Sequence, residues 1–274
     1  MKYLPSIEYP DNEKPILASL EKLFGDWHRH FENNDSVLSR HNQVAKDMVF
    51  DGFCPHYFSQ KKRILFIGRE PTWIPGQNYI DILYPRYRVN KLVGDTPVNA
   101  DKFHSRMIKI AYGILNGLPD WEKIEDAEKL GDTLGTEKGL SFACMNISKL
   151  SNNSGRWQTD WPVYYEAIRL STEGRNFIEE EIAILKPHIV IAMNFDEKLC
   201  SLGKLSDSIH NSADVHSFWL ESGDHRSLLI HSWHFSAPGK QDSRDYYEPI
   251  REAIQHSEAL ESGNRTNGRH EPAL

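Results

Sequence analysis

The chain has 274 residues, of which 39% are hydrophobic and seven are Trp, so it can bury a substantial core as one large domain or two small ones. Its formal net charge of −7 excludes a basic field over the whole molecule. A nucleic-acid partner such as DNA would have to bind a local patch of Lys and Arg, because phosphate binding needs positive charge where the backbone passes.

The cysteines and the apolar runs bear on location and cofactors. The three cysteines lie far apart and follow no metal-cluster spacing, which predicts a reducing compartment without structural disulfides. They are too few for a four-thiolate iron–sulfur cluster, and we expect no metal or other cofactor. The N-terminus has no signal-peptide core, and no apolar run approaches the ~18 residues of a membrane span. We therefore expect a cytoplasmic protein without a membrane partner, whose oligomeric state stays open.

The most informative stretch is Arg63–Trp73, with the sequence R-I-L-F-I-G-R-E-P-T-W. Residues 64–67 are apolar at every position, which predicts a strand buried on both faces, as in a parallel sheet covered by helices. Gly68 lets the backbone turn sharply and pass close to a ligand. Pro71 keeps Glu70 extended, so we expect Glu70 at the carboxyl edge of the sheet, where open α/β folds hold their ligands. The alternative is a buried strand that ends in a polar turn.

Amphipathic and apolar segments alternate along the rest of the chain. Helical periodicity predicts helices near residues 15–27, 36–49, 101–118, 172–185 and 242–255. Apolar runs predict further buried strands near residues 140–147, 188–193 and 227–231. Four buried strands alternating with helices predict an α/β protein, a three-layer α/β/α sandwich with a mainly parallel four-stranded central sheet.

The same pattern predicts the domain organisation. Residues 1–256 form a single predicted domain, with residues 1–50 as a helical extension. Residues 257–274 are polar and contain Gly, so a disordered tail is expected. Residues 74–99 are irregular and mix Tyr with Arg and Lys, which suits stacking and phosphate contact with unpaired nucleic acid. The alternative is a solvated loop whose tyrosines pack on the body of the protein.

Polar side chains follow the predicted strands. Glu70, Asn146, Asn194 and the His231/His234 pair each come at or just after a strand's end. Because the carboxyl ends of parallel strands meet at one edge, we expect these residues to converge. An Asn in this position is well placed to bind a planar amide-like ligand, although it could instead cap the following turn.

Three motifs, in this order, resemble those of the uracil-DNA glycosylase superfamily. G-R-E-P-T-W from Gly68 resembles the first motif, written G-Q-D-P-Y-H or G-I-N-P-G in different branches. F-A-C-M-N-I-S-K resembles the central strand whose Asn binds the uracil edge, and Asn146 holds that position. H-F-S-A from His234 resembles the closing H-P-S-P motif. The resemblance covers roughly residues 50–255 and is to an uncharacterised branch.

The chain departs from the family's motifs at three positions. Glu70 stands where the family has Asp or Asn, and its extra methylene moves the carboxylate by ~1.5 Å, a shift that can cost ~10²-fold in rate. Trp73 occupies the family's His position. Phe235 replaces the Pro of the closing motif, which leaves the register open between His231 and His234. We favour His234, because Ser236 then matches the motif's Ser.

The resemblance implies hydrolysis of the N-glycosidic bond of an extruded base, uracil or another deaminated base, in DNA. His234 would stabilise the charge on the departing base, and Glu70 would orient water and stabilise the cationic sugar. Asn146 would recognise the base edge and Trp73 would stack on the base. The other implied substrate contacts are Gly68, Arg69, Lys149, His231 and Ser236, and the implied phosphate contacts are Arg69, Lys149, Lys240 and Arg244.

Two other classes of function stay open. One is a catalytically inactive nucleic-acid or nucleobase-binding protein of the same fold, which Glu70 and the acidic net charge favour. The other is an unrelated small-molecule α/β hydrolase that uses the Glu70–His234 pair. Binding of an oligonucleotide without cleavage would indicate the first, and absence of binding would indicate the second.

Overall fold

The computed structural model describes residues 2–154 and 158–267, which form an α/β protein around a mixed eight-stranded sheet. The strands within these ranges are β1 (Gly52–Phe53), β2 (Ile64–Gly68), β3 (Leu92–Val93), β4 (Thr96–Pro97), β5 (Ala143–Asn146), β6 (Ile189–Met193), β7 (Lys204–Leu205), β8 (His210–Asn211), β9 (Val215–Ser222) and β10 (His225–Ser232). The α-helices are α1 (Lys14–Asn33), α2 (Asp35–Leu38), α3 (Tyr79–Pro85), α4 (Lys102–Leu115), α5 (Ala127–Gly131), α6 (Trp161–Thr172), α7 (Phe177–Leu185) and α8 (Glu248–Asn267).

The sheet has a parallel core with antiparallel strands at both ends. Its order is β1-β5-β2-β6-β10-β9-β7, and β8 also pairs with β9. The core β5-β2-β6-β10 is parallel, whereas β1 and β9 join it antiparallel, and β7 and β8 pair antiparallel with β9. The four predicted buried strands form this core, so their placement in one sheet is confirmed. The prediction of a four-stranded sheet is wrong, since antiparallel strands extend both ends.

Both faces of the parallel core are buried, which explains why its strands are apolar throughout. Successive side chains of a strand point to opposite faces. In β2, Leu65 and Ile67 pack in one apolar cluster with residues of α1, α6 and α7. Ile64 and Phe66 pack in the other cluster with residues of α4, α5 and α8. Helices therefore cover the sheet on both sides.

The segment predicted as a helical extension belongs to this core. Helix α1 has Pro15 in its first turn and buries an apolar stripe against the sheet and α7. Trp27 of α1 stacks on Phe177 of α7, with ring centroids 5.4 Å apart, and its Nε1 donates to Ser171 Oγ at 3.1 Å. Helix α1 is thus one of the helices that complete the first face.

Two predicted segments in the first hundred residues differ from the structure. Only the start of the helix predicted over residues 36–49 is helical, as part of α2, and Asn42 is left-handed (φ 55°) after the following 3₁₀ turn. Residues 74–99 are not irregular, since they contain α3, a π-helical turn and the β3–β4 hairpin. Tyr87 of this segment is buried, and Tyr79 and Tyr84 pack against the core, as the alternative interpretation predicted.

The C-terminal half differs in its helices. Helix α6 was not predicted. The helix predicted near residues 172–185 begins only at Phe177, where the Asn176 side chain caps α7, because Thr172 still belongs to α6. Helix α8 runs to Asn267 and so covers the first part of the stretch predicted as a disordered tail, while residues 268–274 lie outside the described residues. Among the helices of the described ranges, none has the length and apolar character needed to cross a membrane.

Candidate active site

The topology brings the predicted site residues to one edge of the sheet. Gly68, the last residue of β2, is paired with Asn146, the last residue of β5. His231 of β10 is aligned with Ala192 of β6, so β10 ends at the same edge and the loop with His234 begins there. These positions are the carboxyl ends of parallel strands, which is where the sequence predicted a site.

Glu70 lies two residues beyond β2 and is half-buried. Its Oε1 accepts hydrogen bonds from Asn152 Nδ2 at 2.9 Å and from Asp160 N at 3.2 Å. Its Oε2 is buried without a hydrogen-bond partner among the described residues. Burial raises the pKa of Glu70, and the Asn152 and Asp160 donors and the charge of Arg69 oppose that rise. The carboxylate is therefore fixed through one oxygen, and its other oxygen could bind water or a proton.

The loop after β2 is held in place by the loop after β5. Asn152 N donates to Pro71 O at 2.8 Å, and Trp73 N donates to Asn152 O at 3.3 Å. Ile74 N donates to Ser151 Oγ at 3.1 Å. Trp73 adopts the left-handed conformation (φ 57°), which is uncommon for a bulky residue, and its side chain is 46% exposed. These contacts fix the backbone that carries Glu70.

Asn146 is buried and its amide is oriented by Asp51. Asn146 N donates to Asp51 Oδ2 at 2.8 Å, and Asn146 Nδ2 donates to Asp51 Oδ1 at 3.5 Å. A Cβ added to Gly68 would lie 3.0 Å from Asn146 Oδ1, so Gly allows the close approach. Both residues line a cavity of about 10 Å³, which has room for one water at most. The side chain of Asn146 therefore borders a cavity rather than capping a turn, but a base does not fit there without movement of the lining.

His234 lies two residues beyond β10, and its ring is 5.4 Å from that of Phe103, which lines the same cavity. Ser236 N donates to His234 Nδ1 at 3.3 Å, and Ser236 Oγ lies 2.7 Å from that nitrogen. Burial, together with the charge of Arg69, lowers the pKa of His234 to about 4. The imidazole is thus neutral near pH 7, and because its Nδ1 accepts, its proton is on Nε2.

His231, the other histidine that could match the closing motif, has a different contact. His231 Nε2 accepts a hydrogen bond from Phe195 N at 2.9 Å, in the turn that follows β6. This ring therefore supports the backbone beside the edge. The contact favours His234 as the histidine that faces a ligand.

Lys149 does not lie on the surface. Its side chain is fully buried, with Nζ bonded to Asp51 and, at 2.6 Å, to Glu181 Oε2. Nζ also lies 4.9 Å from the centroid of the Trp27 ring. Lys149 was predicted to contact a phosphate, but a fully buried ammonium group cannot reach one. Lys149 is instead bonded to two carboxylates inside the protein, and one of them, Asp51, holds Asn146.

Three further cations were predicted as phosphate contacts: Arg69, Lys240 and Arg244. The Arg69 guanidinium stacks on Trp161, 5.6 Å from the ring centroid, and its charge acts on both Glu70 and His234. Lys240 Nζ is bonded to Asp214 at 2.9 Å, and Arg244 Nε is bonded to Asp245 at 2.9 Å. Two of the three cations therefore already have ion-pair partners, and Arg69 is the one closest to the candidate catalytic groups.

An open groove of about 370 Å³ lies at the start of α6, lined by Ser154, Gln158, Thr159, Asp160, Trp161 and Pro162. Its volume is within the roughly 300–1,000 Å³ of small-ligand sites. Asp160, which lines the groove, is linked to Glu70 because its backbone N–H donates to Glu70 Oε1.

Glu70 and His234 each have other partners, so the hydrogen-bonded pair that a Glu–His hydrolase requires does not form.

No model of a known protein family matches the sequence, and no curated protein matches it. Among the described residues, no group of three His, Cys, Asp or Glu side chains is arranged to bind a metal ion. Function must therefore be inferred from the geometry of this edge.

Sequence reasoning missed three residues that position the site. Asp51 orients Asn146, Asn152 holds Glu70, and Phe103 packs on His234. Asn152 lies in the polar run that follows β5. The sequence shows that this run is polar but does not show which of its side chains contacts Glu70. Asp51 and Phe103 come from distant segments, and only the fold brings them to the edge.

Proposed function

We propose that the protein is a DNA glycosylase-like enzyme that binds an extruded, uracil-like or otherwise deaminated base and hydrolyses its N-glycosidic bond. The proposal includes the three-layer arrangement expected of the superfamily. It is supported above all by the neutral His234, whose Nδ1 is occupied by Ser236, at the same edge as the half-buried Glu70. A neutral imidazole with its proton on Nε2 is a hydrogen-bond donor suited to charge that develops on a departing base.

Glu70 would act on the sugar side of the bond. Its Oε2 has no hydrogen-bond partner among the described residues, so it can orient the attacking water while its negative charge stabilises the cationic sugar. Asn146 would bind the edge of the base through its side-chain carbonyl oxygen, Oδ1, which lies beside Gly68. Entry of a base requires Phe103 or another lining side chain to move, because the present cavity, of about 10 Å³, is too small for a base.

Single-turnover excision assays on oligonucleotides containing uracil, hypoxanthine or xanthine test this function. We expect His234→Ala to lower the rate by about 10²-fold or more with binding nearly unchanged, because its hydrogen bond strengthens only as charge develops. His231→Ala is the matched control. If the wild-type protein excises no base from any substrate, the enzyme proposal fails.

A binding protein of the same fold without turnover is the second candidate. The observation that favours it is the cavity beside Asn146, which is closed to a base in this conformation. Binding of a base-modified oligonucleotide without release of the base would support this candidate over the first.

A further inference from the structure

We propose that Arg106 and Tyr246 are positioning residues that hold the main chain of His234 in place for the reaction. They act on residues 233–242, here called the His234 loop, and for the role of the histidine itself this inference rests on the proposed function. Both side chains come from outside the loop, Arg106 from α4 and Tyr246 from the π-helical turn before α8. We call this pair the loop clamp.

Arg106 binds the His234 loop at both ends. Its Nη1 donates to Phe235 O, its Nη2 donates to Lys240 O at 3.1 Å, and its Nε donates to Asp242 Oδ1 at 2.8 Å, just beyond the loop. A guanidinium carries five N–H donors in a rigid plane, whereas the ammonium group of a lysine is a compact point charge without that fork. The side chain is 1% exposed, so Arg106 acts through the loop rather than on a ligand.

Tyr246 binds the residue that carries the imidazole. Its hydroxyl donates to His234 O at 2.8 Å. Its ring packs edge-on against Phe235, with centroids 5.5 Å apart, and lies 4.3 Å from Arg106 Cζ. Two consecutive carbonyls, those of His234 and Phe235, therefore both accept hydrogen bonds from the loop clamp. These bonds fix the peptide planes from which the imidazole extends.

The spacing of residues on α4 links the loop clamp to the histidine ring. Phe103 and Arg106 are three residues apart and so lie on the same face of the helix. The ring of Phe103 is 5.4 Å from that of His234, while Arg106 binds the next carbonyl of the loop. One turn of α4 thus contacts both the ring and the main chain, and movement of the loop relative to α4 would displace the imidazole.

Stability alone does not account for a charged residue at this position. Arg106 is buried beside a carboxylate, Asp242, that is 45% exposed. A buried ion pair is often no more stabilising than apolar residues of similar size. A hydrogen-bond donor that stabilises developing charge, in contrast, depends on being fixed in advance, and a displacement of about 1 Å can cost about 10²-fold in rate. Fixing His234 is a role that an apolar residue could not fill.

Two matched pairs of variants test the inference. Tyr246→Phe removes only the hydroxyl bonded to His234 O, and its control is Tyr247→Phe, which removes a hydroxyl bonded to Pro119 O at 2.6 Å. Arg106→Lys keeps the charge but loses the fork. Its control is Arg175→Lys, because Arg175 forms ion pairs with Asp26 of α1 and Glu180 of α7.

Two measurements on the full chain separate position from reaction. The nuclear Overhauser effect between the ring protons of His234 and Phe103 reports the position of the imidazole without any substrate. Single-turnover excision of uracil from an oligonucleotide reports the reaction. We expect both clamp variants to weaken the Overhauser effect and to lower the excision rate by about 10–100-fold. Affinity for the oligonucleotide should stay nearly unchanged, because both clamp side chains are buried, and both controls should match the wild type.

The inference is overturned if a folded clamp variant keeps the wild-type Overhauser effect, or if that effect is lost and the excision rate is not. An equal loss in Tyr247→Phe would also overturn it, because a general loosening would then explain the result. If Arg106→Lys does not fold, the tyrosine pair decides. A wild-type protein that excises no base refutes the proposed function, whereas the Overhauser effect still shows whether the loop clamp places His234.

Discussion

At the scale of single residues, one amide organises the surroundings of Glu70. Asn152 Nδ2 donates both to Glu70 Oε1 and to Gln158 O, each at 2.9 Å. Asn152 Oδ1 accepts from Ser154 N at 3.0 Å, and its backbone pairs with that of Pro71. One N–H of this amide thus holds the candidate catalytic carboxylate, while its other groups are hydrogen-bonded within the loop after β5.

Asn152→Ala should raise the pKa of Glu70 further. The substitution removes a hydrogen bond that favours the charged form, so we expect the pKa to move further above its ordinary value. Carbon-13 NMR of the Glu carboxyl groups measures this pKa directly. Asn153→Ala is the control, because Asn153 is exposed and bonds to Ser151 rather than to Glu70. An unchanged Glu70 pKa in Asn152→Ala would show that the amide does not hold the carboxylate.

At the scale of elements, α1 is joined to the sheet through Trp27. This ring is fully buried, stacks on Phe177 and lies under the ammonium group of Lys149. A helix that packs in this way cannot be removed without exposing one face of the sheet.

Trp27→Ala should therefore lower the free energy of unfolding by about 3–5 kcal/mol, the cost typical of deleting a buried aromatic ring. Urea unfolding followed by circular dichroism provides the measurement. Lys22→Ala, on the exposed side of the same helix, should change the free energy by no more than about 0.5 kcal/mol. A loss below about 1 kcal/mol for Trp27→Ala would mean that α1 is an extension after all.

The sequence predicted the core strands well and the peripheral elements poorly, for physical reasons. Strands buried on both faces are apolar throughout, which is a strong signal. Strand β9 is buried at only four of its eight positions and carries His216, Ser217 and Glu221, so it was not recognised. Helix α6 had a signal, Asp160 before Pro162, which was not recognised.

The convergence of residues at strand ends could be predicted, because a parallel sheet brings such ends to one edge. The role of Lys149 could not. A lysine after a strand suggests a surface cation, and nothing local reveals that Asp51 and Glu181 converge on it from other parts of the chain. Burial of a charge is decided by distant partners rather than by neighbours in sequence.

At the scale of the whole molecule, buried titratable groups set how stability depends on pH. Burial lowers the pKa of His104, His188 and His234 to about 4. The unfolded chain binds protons at these sites from pH 6.5 downward, so their contribution to stability is lost as the pH falls from about 6.5 to about 4. Glu181 acts in the opposite direction, since burial, opposed by Lys149 and reinforced by Asp51, raises its pKa to about 7.

Glu181→Gln should reveal that opposite contribution. Folded Glu181 keeps its proton up to about pH 7 whereas the unfolded chain loses it near pH 4.5, so stability falls as the pH rises between these values. Relative to Glu181→Gln, the wild-type protein should lose about 2–3 kcal/mol of unfolding free energy across this window. Urea unfolding at a series of pH values tests this, with Glu180→Gln on the half-exposed side of α7 as control. A pH-independent difference would contradict the prediction.

The buried trio of Asp51, Lys149 and Glu181 also limits how the protein can be redesigned or can diverge. Removing Lys149 leaves two carboxylates in the interior without a counter-charge, at a cost of about 3–5 kcal/mol, whereas replacing all three residues with apolar ones of similar size is often neutral or stabilising. Here such a replacement would also remove Asp51, which accepts hydrogen bonds from the backbone N–H and from the side-chain amide of Asn146. We therefore expect heat-resistant versions obtained by laboratory selection to keep Asp51 wherever base recognition is selected, and to exchange the trio as a unit only where it is not.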